Sequence, residues 1–249
     1  KTGRNLTRIT NWDIFDSIDD ENDAKVDQII RLIQYLKCLP VKVVSIDKVE
    51  ADDIIAYMSK DMAKRFNTKS YIVSSDRDFL QLVDDNVTVY RPIEREFYDP
   101  KTVKEKFGII PQNFIHYKVL VGDASDKVPG VKGLGKKGVL KRFPELADNE
   151  LEFDQLFEIS EQKLKDSVVY ARVIQDWDKL LNTRKIMDLS TPMLSEEEKQ
   201  DLSQLPLEPL NELRILEFMS LYNEDGMAHI IKNTEFWLKD TFTRLTYDT

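Results

Sequence analysis

The sequence predicts an α/β protein: a mostly parallel central sheet flanked by helices, followed by an all-helical C-terminal extension. Three features predict it. Short β-branched runs alternate with segments whose apolar residues recur at helical spacing, the pattern of parallel βαβ units covered on both faces. Apolar residues make up 41% of the 249, enough for a core, and no apolar run approaches membrane-spanning length. Beyond Pro144 the pattern is helical and acidic, interrupted near Pro192, Pro206 and Pro209.

Taken in order, residues 1–23 are polar and close on the acidic run Asp19-Asp20-Glu21-Asn22-Asp23, which reads as a solvated, loop-like stretch. From Ala24, Val26, Ile29, Ile30, Ile33 and Leu36 recur at helical spacing until Pro40 ends the run. Val41 to Ile46 reads as a β-branched strand. Glu50 to Phe66 reads as a helix with a stripe of Ile54, Ile55, Met58, Met62 and Phe66. Two further strands follow, Tyr71–Ser75 and Val87–Tyr90, and then helices over 100–107, 111–121 and 135–143. No signal-peptide pattern opens the chain. One cysteine, Cys38, cannot form an internal disulfide, so an intracellular, reducing setting is expected.

A net charge of −9 argues, taken alone, against nucleic acid, but the average hides an asymmetry. Residues 1–143 hold 25 Lys/Arg against 22 Asp/Glu; residues 144–249 hold 11 against 23.

Acids recur at strand ends and helix starts. Glu50-Ala51-Asp52-Asp53 opens a helix, Ser75-Asp76-Arg77-Asp78 follows a strand, and Gly122-Asp123-Ala124-Ser125-Asp126 ends an apolar segment. Ligands of an open parallel sheet gather beyond the carboxyl ends of its strands. If Glu50, Asp52, Asp53, Asp76, Asp78, Asp123 and Asp126 converge, they repel unless a cation sits among them. Oxygen donors without His or Cys suit Mg²⁺ or Mn²⁺ over zinc, and His116 and His229 read as packing or surface residues. Each cluster also has a structural explanation, as dipole-favoured helix starts or turn residues. Three clusters in one α/β domain favour the metal reading.

Residues 127–142 hold six basic residues, no acid, and glycines at 130, 133, 135 and 138. Val131, Leu134, Val139 and Leu140 give this segment helix-turn-helix amphipathicity, with Gly133 and Gly135 in the turn. Lys132, Gly133, Gly135, Lys136, Lys137 and Lys141 are its candidate phosphate contacts, able to grip a nucleic-acid backbone without reading bases. A solvated basic hairpin is the alternative. The order of strand and glycines matches neither a dinucleotide nor a nucleoside-triphosphate loop.

These residues resemble the 5′ nuclease superfamily: flap endonucleases of phage and cells, and the 5′→3′ exonuclease domain of bacterial DNA polymerases. The similarity is carried by 49–56 (Glu-Ala-Asp-Asp within it), by Ser74 to Leu82, and by 121–136 running into the family's helix-three-turn-helix. The resemblance implies a PIN-like nuclease core and a structure-specific 5′ nuclease acting in replication or repair, in a phage-like setting. Its substrates would be branched or 5′-ended duplex DNA, with 5′ flaps or RNA primers removed. Glu50, Asp52, Asp53 and Asp76 resemble ligands of a first divalent metal; Asp78, Asp123 and Asp126 resemble groups serving a second. Two metals would activate a water and stabilise the leaving oxygen during phosphodiester hydrolysis. In relatives the glycine turn binds K⁺ through backbone carbonyls, for which Val131 and Leu134 are the candidates. Lys1 and Arg4 resemble the Lys-x-x-Arg pair at the base of a helical arch, where they would contact the scissile phosphate.

The resemblance thus divides the chain into 1–23, an arch remnant; 24–118, the metal-binding core; 119–144, the helix-three-turn-helix; and 145–249, helices expected to pack on the core. Family members begin with a strand bearing an early metal-binding aspartate, which this sequence does not contain. A fragment is therefore expected, with an apolar sheet edge open to its own N-terminal segment. A polymerase or single-strand-binding protein is a further possible partner; no membrane is expected. Two other functions compete: a non-catalytic DNA-binding module that keeps the grip without the chemistry, and a PIN-like ribonuclease, which has no need of the Gly130–Arg142 turn.

Overall fold

In a computed structural model of the chain, residues 14, 16–124 and 128–243 are described. They form two compact units: those within 46–203, and those before residue 46 together with those from 204 onward.

The larger unit opens on α2 (Ala51–Tyr57), which runs through a π-helical turn (Met58–Met62) into α3 (Ala63–Phe66). Asn67, at φ 48°, closes that helix in the left-handed region. The β-branched runs then form a three-stranded sheet. In it β1 (Ser70–Val73) pairs parallel to β2 (Val87–Arg91), and β2 pairs antiparallel to β3 (Glu96–Tyr98). Between β1 and β2 the chain winds through a 3₁₀ turn, Asp78–Leu82. The helix α4 (Pro100–Phe107) is punctuated as its sequence demands. Asp99 caps it by accepting from the Thr102 N–H at 2.7 Å, Pro100 sits at its first position, and Gly108, at φ 72°, ends it.

Next comes α5 (Phe114–Val121), buried from Phe114 through Leu120. An apolar helix without a polar face belongs inside a fold, and α5 lies against α6 (Lys136–Arg142) and α9 (Trp177–Met187). Two antiparallel strands of two residues each, β4 (Gly122–Asp123) and β5 (Val128–Pro129), join α5 to the turn before α6. The unit is completed by α7 (Phe153–Gln162), α8 (Val168–Gln175) and α10 (Glu196–Gln204). Its core joins sheet and helices through Leu80, Val89, Phe114, Leu120, Phe143, Phe153 and Leu180. Each such side chain contributes about 1.5–3 kcal/mol by leaving water.

The smaller unit contains α1 (Ile18–Lys37), α11 (Ile215–Glu224) and α12 (Thr234–Phe242). Cys38, Leu39, Phe218, Tyr222 and Leu238 form its core, and Cys38 is a buried packing residue there. The helices beyond residue 204 thus belong with α1 in one compact unit, because the apolar faces of α11 and α12 meet Tyr35, Leu36 and Leu39.

Three local expectations are corrected. Residues 41–46 form no strand, since an extended run needs a ladder partner and none pairs with it among the described residues. The acidic run is not a loop: Ser17 caps α1 by accepting from the Asp20 N–H at 3.1 Å, and Asp19, Asp20 and Glu21 fill its first turn, where the helix dipole favours them. β3 is an addition, reached through Arg95 at φ 55°. Among the described residues β1 is an edge strand, with Tyr71 59% and Val73 67% exposed, and Phe97 of β3 lies beside Tyr71. None of the described helices is long and apolar enough to cross a membrane.

Candidate active site

Beyond Val73 the chain turns by side-chain bonds to its own backbone. Ser74 Oγ accepts from the Asp76 N–H at 3.1 Å, and Asp76 Oδ1 accepts from the Asp78 N–H at 2.9 Å. Such short polar side chains satisfy the backbone where the strand has ended and the 3₁₀ turn has not begun. Asp76 is left exposed and Asp78 is buried. From β2, the buried Arg91 donates to the Ser75 carbonyl at 2.8 Å, tying the turn to the sheet.

Asp123 reaches the same place from α5. Gly122 takes φ 81° and ψ 173°, a region only glycine occupies readily. Any Cβ on it would collide with the Gly130 backbone, and a Cβ on Gly130 would collide with the Val121 carbonyl group. The two glycines let the hairpin cross itself, and that crossing carries Asp123.

Asp76, Asp78 and Asp123 line one cavity of about 920 Å³. Arg77, Arg91, Lys118 and Lys136 also line it, so acids and cations share its wall. The buried Lys118 ammonium bonds the Asp78 carboxylate and donates to Asp123 Oδ2 at 2.9 Å. Among the described residues no histidine or cysteine lines the cavity, so the anionic donors there are carboxylate oxygens, the set suited to a hard divalent cation. Among the described residues, however, no three acidic, imidazole or thiol side chains stand close enough to enclose a metal ion together.

Of the six sequence-predicted acids that are described, Asp76, Asp78 and Asp123 share the cavity wall. Glu50, Asp52 and Asp53 stand at the start of α2, outside the cavity lining. Asp53 Oδ1 accepts from the Met193 N–H at 2.8 Å, which points that carboxylate at the loop after α9. Still, α2 packs against the 3₁₀ turn that starts at Asp78, so both acid groups lie on neighbouring elements. Asp126, Lys1 and Arg4 fall outside the described residues.

The glycine-lysine turn is anchored from below and open above. Val131 and Leu134 are buried; the Val131 N–H donates to the Leu120 carbonyl at 2.9 Å, and the Leu134 N–H to the Val131 carbonyl at 3.0 Å. Gly133, at φ 83°, makes the bend, and Arg172 of α8 donates to the Lys132 carbonyl at 2.8 Å. Lys132, Gly133, Gly135, Lys136, Lys137 and Lys141 are all exposed, and Lys136 continues onto the cavity wall. Sequence reasoning missed Lys118 and Arg91. The detectable signal for Lys118 was a lysine inside a helix with no polar face, where a buried charge requires a partner.

Residues 19–108 match the family model of the 5′-3′ exonuclease N-terminal, resolvase-like domain. A 5′-3′ exonuclease of Buchnera aphidicola (subsp. Acyrthosiphon pisum) is 32% identical over 145 residues, which is 58% of this chain and 50% of that protein. The 5′-3′ exonuclease of Aquifex aeolicus is 38% identical over 120 residues, 47% of this chain and 41% of the relative. DNA polymerase I of Bacillus subtilis is 38% identical over 130 residues, 49% of this chain and 14% of the polymerase. The chain thus spans half or less of the length of the curated relatives it matches. Among solved structures, a T5 5′-exonuclease with bound divalent metal ions (zinc) aligns with TM-score 0.63 and 19% identity, over 82% of this chain and 73% of the other. A bacteriophage T5 flap endonuclease in a pseudo-enzyme-product complex with DNA and metal ions aligns at 0.61 and 18% identity, over 81% and 72%. At that identity the structures establish a shared fold. Family model, curated relatives and fold thus agree in likening the chain to 5′ nucleases: the domain match spans residues 19–108, and the solved structures share the fold.

Proposed function

We propose that the protein is a metal-dependent, structure-specific 5′ nuclease that hydrolyses phosphodiester bonds near the junction of 5′ flaps or at 5′ ends of DNA, RNA primers included. One observation carries this reading: the acids after β1 and after α5 share a cavity wall with Lys136 of the basic turn. A duplex held by the exposed lysines would present its backbone to the carboxylates.

In this reading Asp78 and Asp123, with Asp76 at the rim, would hold Mg²⁺ or Mn²⁺, and the α2 acids with Asp126 would complete a two-metal set. Bound there, divalent ions would supply a water of lowered pKa and a counter-charge for the leaving oxygen. The chain's own work is placement. Lys132, Lys136, Lys137 and Lys141 neutralise phosphates of the duplex without reading bases. Arg77 and Arg91 add positive charge to the cavity wall beside the scissile position. The glycine turn brings its backbone close to the duplex, and a K⁺ held by the Val131 and Leu134 carbonyls is part of the proposal. Lys1 and Arg4 are assigned to the scissile phosphate.

The test is cleavage of a 5′-labelled flap duplex by the intact protein in Mg²⁺ and in EDTA. Short labelled 5′ products that appear only with Mg²⁺ support the reading. Tight flap binding with no products in either buffer overturns it in favour of a non-catalytic DNA-binding module.

A further inference from the structure

Lys118 lies in the middle of α5, a helix buried along nearly its whole length, and is only 7% exposed. The lysines of the glycine turn, by contrast, all face solvent. An ammonium in such a place costs several kcal/mol in lost hydration unless anionic partners repay it. Lys118 has them: Asp78, from the turn after β1, and Asp123, from the hairpin after α5. These two carboxylates come from segments 45 residues apart in sequence, and the ammonium is bonded to both. Without a cation between them, like charges held this close would repel.

We infer that Lys118 is an internal counter-cation: a positioning residue that holds Asp78 and Asp123 together and competes with a divalent metal for their oxygens. The inference rests on the metal-dependent reading above. A divalent ion that coordinates either carboxylate directly must displace the ammonium or share oxygens with it. The single charge of Lys118 therefore keeps the two segments assembled before metal enters and sets how tightly the metal is held afterwards. The side chain touches carboxylates rather than substrate, so its effect on the reaction passes through them.

Mn²⁺ binding, read from the loss of the free-ion electron paramagnetic resonance signal, tests this on the 249-residue chain. Lys118→Met keeps the length and removes the charge, whereas Lys118→Arg keeps the charge. Mn²⁺ should bind Lys118→Met about tenfold more tightly than wild type, since a unit charge within ~4 Å has been removed. It should bind Lys118→Arg within about threefold of wild type, since the charge is retained. Equal or weaker binding to Lys118→Met, with wild type binding measurably, overturns the inference and leaves the metal reading standing. Absence of binding to both proteins overturns the two together. Should Lys118→Met not fold, Mg²⁺ titration of the wild type labelled with ¹³C at lysine Cε decides the matter. A Lys118 resonance that shifts in step with Mg²⁺ occupancy supports displacement; one that stays fixed to saturation refutes it.

Discussion

Gly122→Ala is the sharpest test of how the fold builds its site. At φ 81° and ψ 173° the backbone lies where an L residue is strained by about 1–3 kcal/mol. Strain is only part of the effect. A Cβ at 122 would also overlap the Gly130 backbone nitrogen and approach the Val128 carbonyl oxygen to 2.7 Å, atoms that cannot rotate away as a side-chain tip could. Forcing such overlap into packed structure costs about 1–3 kcal/mol more. The two together give roughly 2–6 kcal/mol, which for a chain of this size is on the order of 4–24 °C in Tm. Gly226→Ala separates the contributions: its φ is 68°, yet no atom lies within 4 Å of the added methyl, so strain alone should act. The assay is thermal unfolding followed by circular dichroism, with flap cleavage measured on the same preparations. Gly122→Ala should lose more Tm than Gly226→Ala and should also lose cleavage, because Asp123 is displaced. A Gly122→Ala protein with wild-type Tm and wild-type cleavage would refute the claim that this crossing holds the site.

Three further outcomes are expected. Asp76→Asn should abolish cleavage while flap-DNA binding, measured by fluorescence anisotropy, stays within about threefold of wild type, since a phosphate grip does not depend on it; retained cleavage would remove Asp76 from the metal role. Lys136→Ala combined with Lys137→Ala should weaken duplex binding and lower the slope of log K against log salt by about 2, one for each lost phosphate contact; an unchanged slope would place the grip elsewhere. His116 is held below its ordinary 6.5, by burial above all, although its bond to the Leu151 carbonyl pulls the other way. The unfolded chain therefore binds more protons than the folded one between that lowered value and 6.5, so the contribution of neutral His116 is lost as pH falls through this window. Wild type should lose more Tm between pH 7 and pH 5 than His116→Gln does, and parallel losses in the two proteins would contradict this.

What the sequence disclosed and what it withheld divide along physical lines. Tyr71-Ile72-Val73 and Val87-Thr88-Val89 announced strands because β-branched runs fit a half-buried ladder and both found partners. Val41 to Ile46 carried the same signal without a neighbour to pair with, and pairing is a property of the sheet, not of the segment. β3 is three residues long and is entered through a non-glycine residue at positive φ, so no turn signal marked it. The acids at 76, 78 and 123 were legible because chain order alone puts them at the ends of elements. Whether the acids of α2 reach them depends on side-chain directions, and Asp53 bonding the Met193 N–H shows one pointing elsewhere. Lys118 was hidden because its partners lie 40 residues before it and five after it, a pairing no local pattern displays.

The central claim, that the cavity of Asp76, Asp78 and Asp123 is the metal-bearing site of a phosphodiesterase, is tested most directly by anomalous diffraction from crystals of the protein soaked in Mn²⁺ with a 5′-phosphorylated duplex. The account predicts an anomalous peak in that cavity, within coordination distance of the Asp78 or Asp123 carboxylate, with the 5′-phosphate beside it and the duplex on Lys136. A well-ordered duplex with no peak in the cavity, or Mn²⁺ bound only elsewhere on the chain, would contradict it.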